Sequence, residues 1–266
     1  MALNIYASDI ELNNNSFKQS ANSLFNFMRK IEYLKQIIEN KAFIPRYYEE
    51  LIPYLELEKF SKIAFPMTCF CDINIKNIYD HCEFYGFIGL GMDKNWGIDN
   101  GIQPIQYLNE NSRLSKELKK IFITEDDENN EIVLEPYKNY LLEHVLFIKP
   151  IAGKMLANGK YVPKNFHDEK EWRYIPIITE EYDIPEVLTF TSCMNEKCYK
   201  IYSDGIKEYE NLWLRFEYED IKYIFVENKD DLDDLINFII GLNIENKDKY
   251  TLISKIITLE VIKEDI

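Results

Sequence analysis

Phe166 to Ile178 reads FHDEKEWRYIPII, a stretch in which charge and bulk alternate as they do along a strand. Side chains two apart in a strand share a face, so this period predicts Glu169, Glu171 and Arg173 on one side and Lys170, Trp172 and Tyr174 on the other. Two carboxylates and a guanidinium then converge. Such a face either forms an ion-paired sheet surface or presents charge to something bound, and the residues by themselves leave both open.

Upstream, IAGKMLANGKYVP predicts a hairpin turning at Asn158 and Gly159, because Asn-Gly accepts the positive φ of a tight primed turn. Residues 112–124 and 137–148 read as amphipathic helices divided by a solvated acidic loop at 125–131. IQPIQYL is an edge-type strand, since Pro104 has no N–H for a ladder, and it follows a turn at Trp96 and Gly97. Phe87 to Met92 is a short apolar strand whose glycines imply close approach by another segment or a ligand. KIAFPMTCFCD gives a buried strand from Ile63 to Phe70, with Asp72 as the N-cap of a helix. That helix turns Ile75, Ile78, Cys82 and Tyr85 inward and ends at Gly86. Pro45 and Pro53 disfavour helix before them, which places Arg46, Tyr47 and Tyr48 at a bend. Leu24 to Phe27 alternates like a strand, and Ile31, Leu34, Ile37 and Ile38 follow a helical stripe. Residues 1–22 read as an irregular arm.

Downstream, LWLRFEY and IKYIFVE predict a second hairpin around Glu219 and Asp220. DDLDDLINFIIGL is a helix with acids at its positive end and Leu232, Leu235, Ile236 and Ile239 as its buried stripe. Leu252 to Ile262 fits a strand or a helix equally. Strands and helices mix without regular βαβ alternation, so the pattern predicts one α+β domain over 1–266 with a mostly antiparallel or mixed sheet and flanking helices.

A net charge of -15 and a pI near 4.8 work against bulk nucleic-acid binding, and the basic run Arg113, Lys116, Lys119, Lys120 reads as a solvated helix face. No apolar run approaches the roughly 18 residues of a membrane span, and the start carries no signal-peptide pattern. Five cysteines, an odd number in a chain of 266 residues, fit a reducing, cytoplasmic setting. Cys69, Cys71, His81 and Cys82 match no common zinc spacing, so no metal is expected. Gly86, Gly89 and Gly91 follow a helix and enter a strand, the reverse of a dinucleotide fingerprint.

LFNFM at 24–28, FIPRYYEE at 43–50, the long block from Pro66 to Leu108, DEKEWRYIP at 168–176 and FEYEDIKYIFVE at 216–227 together resemble the abortive-infection, phage-resistance family AbiGi. The resemblance implies an anti-phage protein encoded beside a partner, with an ADP-ribosyltransferase-like split sheet. In active folds of that kind a cleft takes NAD as substrate and a late glutamate stabilises the positive charge that develops on the ribose. Carried onto this chain, Glu171 is that glutamate and Glu169 the outer member of an E-x-E pair. Asn26 stands where a histidine is usual, and Arg46, His81, Tyr85 and Arg173 complete the expected cleft. The resemblance carries a second reading of another class: a non-catalytic antitoxin or sensor that binds a cognate toxin from the neighbouring gene.

Overall fold

The computed structural model describes residues 20–57, 61–123, 140–157 and 159–261. The expected acidic loop and most of the expected N-terminal arm lie outside them. The chain enters with β1 (Ser23–Met28), α1 (Ile31–Asn40) and β2 (Ala42–Phe43). Residues 46–48 do not bend: β3 (Arg46–Leu51) is a full strand. Pro45 pushes Ile44 toward extended backbone, Tyr47 and Tyr48 favour a pleated surface, and Pro53 opens a short 3₁₀ turn only after the strand has ended.

β4 (Lys62–Cys71) follows, then α2 (Ile78–Tyr85) and β5 (Ile88–Asp93). Asp72 is not a helix cap. The Asn74 side chain caps the turn that leads into α2, while the Asp72 carboxylate is buried against Lys94 at 2.7 Å and accepts from the Ala21 N–H. The expected turn at Trp96 and Gly97 is instead α3 (Lys94–Asp99), capped by the Asp93 side chain. β6 (Gln103–Pro104), β7 (Gln106–Leu108) and α4 (Arg113–Ile123) come next, and residues 140–146 form α5. β8 (Ile148–Pro150) leads to the hairpin of β9 (Ala152–Ala157) and β10 (Lys160–Asn165), in which Gly159 has the positive φ of 72° the turn requires.

β11 (Glu171–Tyr174) is shorter than its alternation suggested. Phe166–Glu169 is a 3₁₀ turn closed by Lys170 in the left-handed region, so Glu169 precedes the strand rather than sharing it. The remaining elements are α6 (Glu196–Ile206), β12 (Leu214–Arg215), β13 (Ile221–Val226), α7 (Lys229–Gly241), α8 (Asn246–Ser254) and β14 (Ile256–Thr258). The expected second hairpin does not form, because β12 pairs with β2 while β13 pairs with β5 and β14. The tail is both things its composition allowed, helix to Ser254 and then strand. Among the described residues no helix is long and apolar enough to cross a membrane.

The eight-stranded sheet runs β14-β13-β5-β1-β4-β11-β6, with β3 also on β4. Only the β13–β14 pair is parallel. β4 is the axis. β11 lies along its C-terminal half, β3 pairs with Lys62–Met67, and β1 registers with it at Cys71. The N–H and C=O of Ala64 bond to Leu188, and the Asp72 N–H bonds to Lys170, so even-numbered backbone groups of β4 face the β11 edge. β1 and β3 therefore share the other edge and part between Met67 and Cys71. One face of β1, β4 and β5 packs Leu24, Met28, Phe70, Leu90 and Met92 under α1 and α7; the other packs Phe25, Cys71 and Phe225 under α2.

β5 has room for its glycines alone. A Cβ on Gly89 would stand 2.6 Å from the Phe27 ring and 2.8 Å from the Asn26 carbonyl oxygen, so another strand, not a ligand, makes the close approach. Gly89→Ala is expected to lower the unfolding free energy in urea by about 2 kcal/mol, as overpacking does. Gly101→Ala, which meets no atom within 4 Å but has φ +71°, should cost about 1 kcal/mol from backbone strain alone.

Candidate functional site

Side chains that face the same way from β3, β8 and β11 bring four charges together. Arg173 Nε donates to Glu171 Oε1 at 2.7 Å, and its NH2 group donates to Glu50 Oε1 at 2.9 Å. Lys149 Nζ lies 2.8 Å from Glu171 Oε2 and 3.3 Å from Glu50 Oε1. The result is a closed ring in which each carboxylate meets both cations. Three of its members are buried, Glu171 5% exposed, Lys149 6% and Arg173 1%, and Glu50 is half-buried. The last guanidinium nitrogen donates to the Leu146 carbonyl at 2.6 Å, and the rings of Phe65 and Phe166 lie against Arg173 and Lys149.

Burial alone would raise the Glu171 carboxyl, but Arg173 and Lys149, by charge and hydrogen bond, outweigh it and hold the group far below the usual carboxylate range. The same attraction overcomes burial at Lys149 and Arg173 and raises both. The Glu171 backbone N–H donates to the Tyr107 hydroxyl at 2.7 Å, which fixes the strand where the carboxylate leaves it.

A second, smaller cluster adjoins the ring. The Tyr85 hydroxyl donates to Glu169 Oε1, Lys164 Nζ stands 3.3 Å from the same oxygen, and the ammonium lies 4.0 Å over the Phe84 ring and 5.0 Å over that of Tyr85. Burial raises the Glu169 carboxyl, against the pull of Lys149. His81 packs against Tyr85 and Phe27, with ring centroids at 4.5 and 5.7 Å, and burial, helped by Lys164, pushes it down to about 4. Lys164 comes from the β9–β10 hairpin, which also sends Tyr161 to Glu49 on β3 at 2.6 Å.

Of the residues singled out in the sequence, Glu169, Glu171, Arg173, His81 and Tyr85 thus gather on one face of the sheet. Asn26 does not join them. Phe25 and Glu171 both register with Cys71, so alternation turns Asn26 to the opposite face, where its neighbours Leu24 and Met28 enter the core under α1. Its side-chain amide donates to the Cys69 carbonyl at 2.8 Å, in the gap between β1 and β3 where no strand pairs with that group. Arg46 is exposed at the start of β3, over the Tyr33 ring. Two surface hollows of about 290 and 300 Å³ lie elsewhere: one beside β6 and α5, lined by Gln103, Tyr140 and His144, the other under the hairpin base, lined by Tyr54, Pro150 and Phe166. Neither is lined by Glu171.

Sequence reasoning missed Glu50 and Lys149, half of the ring. Lys149 had a signal: it is the one charge in LFIKPIAG, and a lone cation in an apolar run needs a buried anion. Glu50 had none that pointed to Arg173, because it follows Glu49 just past the bend expected at Arg46 to Tyr48. The ring's chemistry is cohesive. Both oxygens of Glu171 are held by cations, and those bonds join three strands and the end of α5.

A family model described as "Putative abortive phage resistance protein AbiGi, antitoxin" matches residues 40–227. The "Abortive phage resistance protein AbiGi" of Lactococcus lactis subsp. cremoris is 39% identical over 248 residues, which cover 84% of this chain and 99% of that one. No solved structure matches the chain.

The depressed His81 has a signed consequence. Its folded pKa, about 4, lies below its ordinary 6.5, so the unfolded chain takes up the proton first and stability falls as pH drops through that interval. Glu171, also depressed, adds its loss only below its ordinary value of 4.5. Urea unfolding at pH 7, 5.5 and 4.5 should show the native chain losing about 2 kcal/mol more across the range than His81→Phe, while the raised Glu169 carboxyl acts with the opposite sign in both.

Proposed function

The chain belongs to the AbiGi family of abortive phage resistance proteins, and we propose that it acts as a binding antitoxin, holding a cognate toxin protein by surface contact without turning over a substrate. The observation that carries this choice is the occupancy of Glu171. An NAD-consuming reading asks that carboxylate to hold a ribose hydroxyl and face a developing positive charge. Here its oxygens are already held by Arg173 and Lys149, and the residue is 5% exposed. To free an oxygen, a buried ion pair would have to break, and its cation would be left to Glu50 alone. The description of the matching family as an antitoxin supports the same choice.

Asn26 points the same way. The enzymatic reading places it on the ribose, whereas its amide is used on the Cys69 carbonyl at the parting of β1 and β3. Replacing it would leave a backbone acceptor without its partner, a structural loss rather than a catalytic one.

Expression of the protein encoded by the adjacent reading frame should arrest growth of a host, and co-expression of this chain should restore it. Pure chain incubated with NAD, with and without infected-cell lysate, should leave the NAD intact. Failure to restore growth, together with NAD loss that disappears in Glu171→Gln, would overturn the reading.

A further inference from the structure

Acids outnumber bases 46 to 31 in this chain, and many of its cations are tied to a carboxylate. Lys35 pairs with Asp234, Lys41 with Glu217, Lys62 with Glu49, Lys119 with Glu56, Arg215 with Glu210 and Lys222 with Asp93. Beside the parting of β1 and β3 two cations without such a tie lie together. Lys30 and Arg46 are both exposed, and among the described residues neither has an ion-pair partner. Both lean on one aromatic ring: Lys30 Nζ is 6.0 Å and the Arg46 guanidinium 5.8 Å from the centroid of Tyr33.

Tyr48, two residues beyond Arg46 on the same face of β3, continues the surface. It is 49% exposed and Tyr33 39%. The carboxylate whose field reaches this corner, that of Asp204, is engaged by Lys207 at 2.7 Å. Two unpaired cations around a fixed ring, with a second ring beside them, have the composition that concentrates binding energy at protein interfaces.

We infer that Lys30, Tyr33, Arg46 and Tyr48 form the surface on which this chain seats an acidic segment of its partner protein. The inference rests on the antitoxin reading and names its contact face. The Arg46 fork takes a carboxylate, Lys30 supplies a second charge across the ring, and the faces of Tyr33 and Tyr48 take an apolar side chain between them. The net charge of -15 repels such a segment from the rest of the surface, so the patch also sets the register of docking. A nucleic acid fits less well, because its phosphates would meet that repulsion along their whole length.

The test measures affinity between this full-length chain and the purified product of the adjacent reading frame. Arg46→Glu, Lys30→Glu and Tyr33→Ala should each weaken binding about tenfold or more, and Arg46→Lys, which keeps a charge but loses the fork, should fall between. Lys116→Glu, on α4 beyond the far end of β3 and about 20 Å along the strand from Arg46, should stay within about twofold. Raising the salt should weaken the unaltered chain more steeply than Arg46→Glu. Circular dichroism and urea unfolding confirm that the variants fold, as exposed positions allow. Binding that ignores Arg46→Glu and Lys30→Glu alike overturns this inference and leaves the antitoxin reading standing. No binding by the unaltered chain overturns both.

Discussion

Two carboxylates and two cations closed into a ring under the sheet hold this molecule together where its strands are short. Taken singly, none of Glu50, Lys149, Glu171 or Arg173 could be buried at tolerable cost; taken together, each satisfies two others. Position follows from that requirement. β8 has three residues and β11 four, too few to dock securely by ladder alone, and the ring ties both to β3. The Arg173 bond to the Leu146 carbonyl then anchors the C-terminal end of α5, whose last carbonyls have no partner within the helix.

The same economy recurs at the parting of β1 and β3. A split sheet exposes backbone groups on the strand that both halves leave, here the Cys69 carbonyl on β4, and the Asn26 amide reaches across to it. A second buried pair, Lys94 with Asp72, closes the other side of that junction where the chain enters β1. Polar residues that look chemical in the sequence are thus largely the means by which a sheet with interrupted pairing satisfies its own interior.

The strands and helices with strong periodicity were legible before the structure: β1, β4, β5, α2, α7 and the Asn-Gly hairpin all stand where alternation or helical stripe put them. Local signals failed where long-range pairing decided. Arg46 to Leu51 became a strand because β4 offered its edge, and β12 and β13 parted because each found a partner far away in sequence. The stretch at 166–178 was half right. Glu171 and Arg173 do share a face, but Lys170 in the left-handed region ends the alternation and delivers Glu169 to Tyr85 from a turn. Which of two meanings that face carried could not be read from it, because the deciding residues, Glu50 and Lys149, lie 121 and 22 positions upstream of Glu171. Membership of the AbiGi family, by contrast, was legible from blocks spread along the chain.

Whether Glu171 is a bound member of the ring or a carboxylate free for chemistry is the question on which the account turns, and a double-mutant cycle on Glu171→Gln and Arg173→Met in urea answers it most directly. Engagement predicts strong non-additivity: the double variant is more stable than the sum of the single losses allows, by about 2 kcal/mol or more, because the second substitution removes the charge that the first left in excess within the ring. Losses that add to within about 0.5 kcal/mol would mean that the two groups stand independently, and would contradict the account.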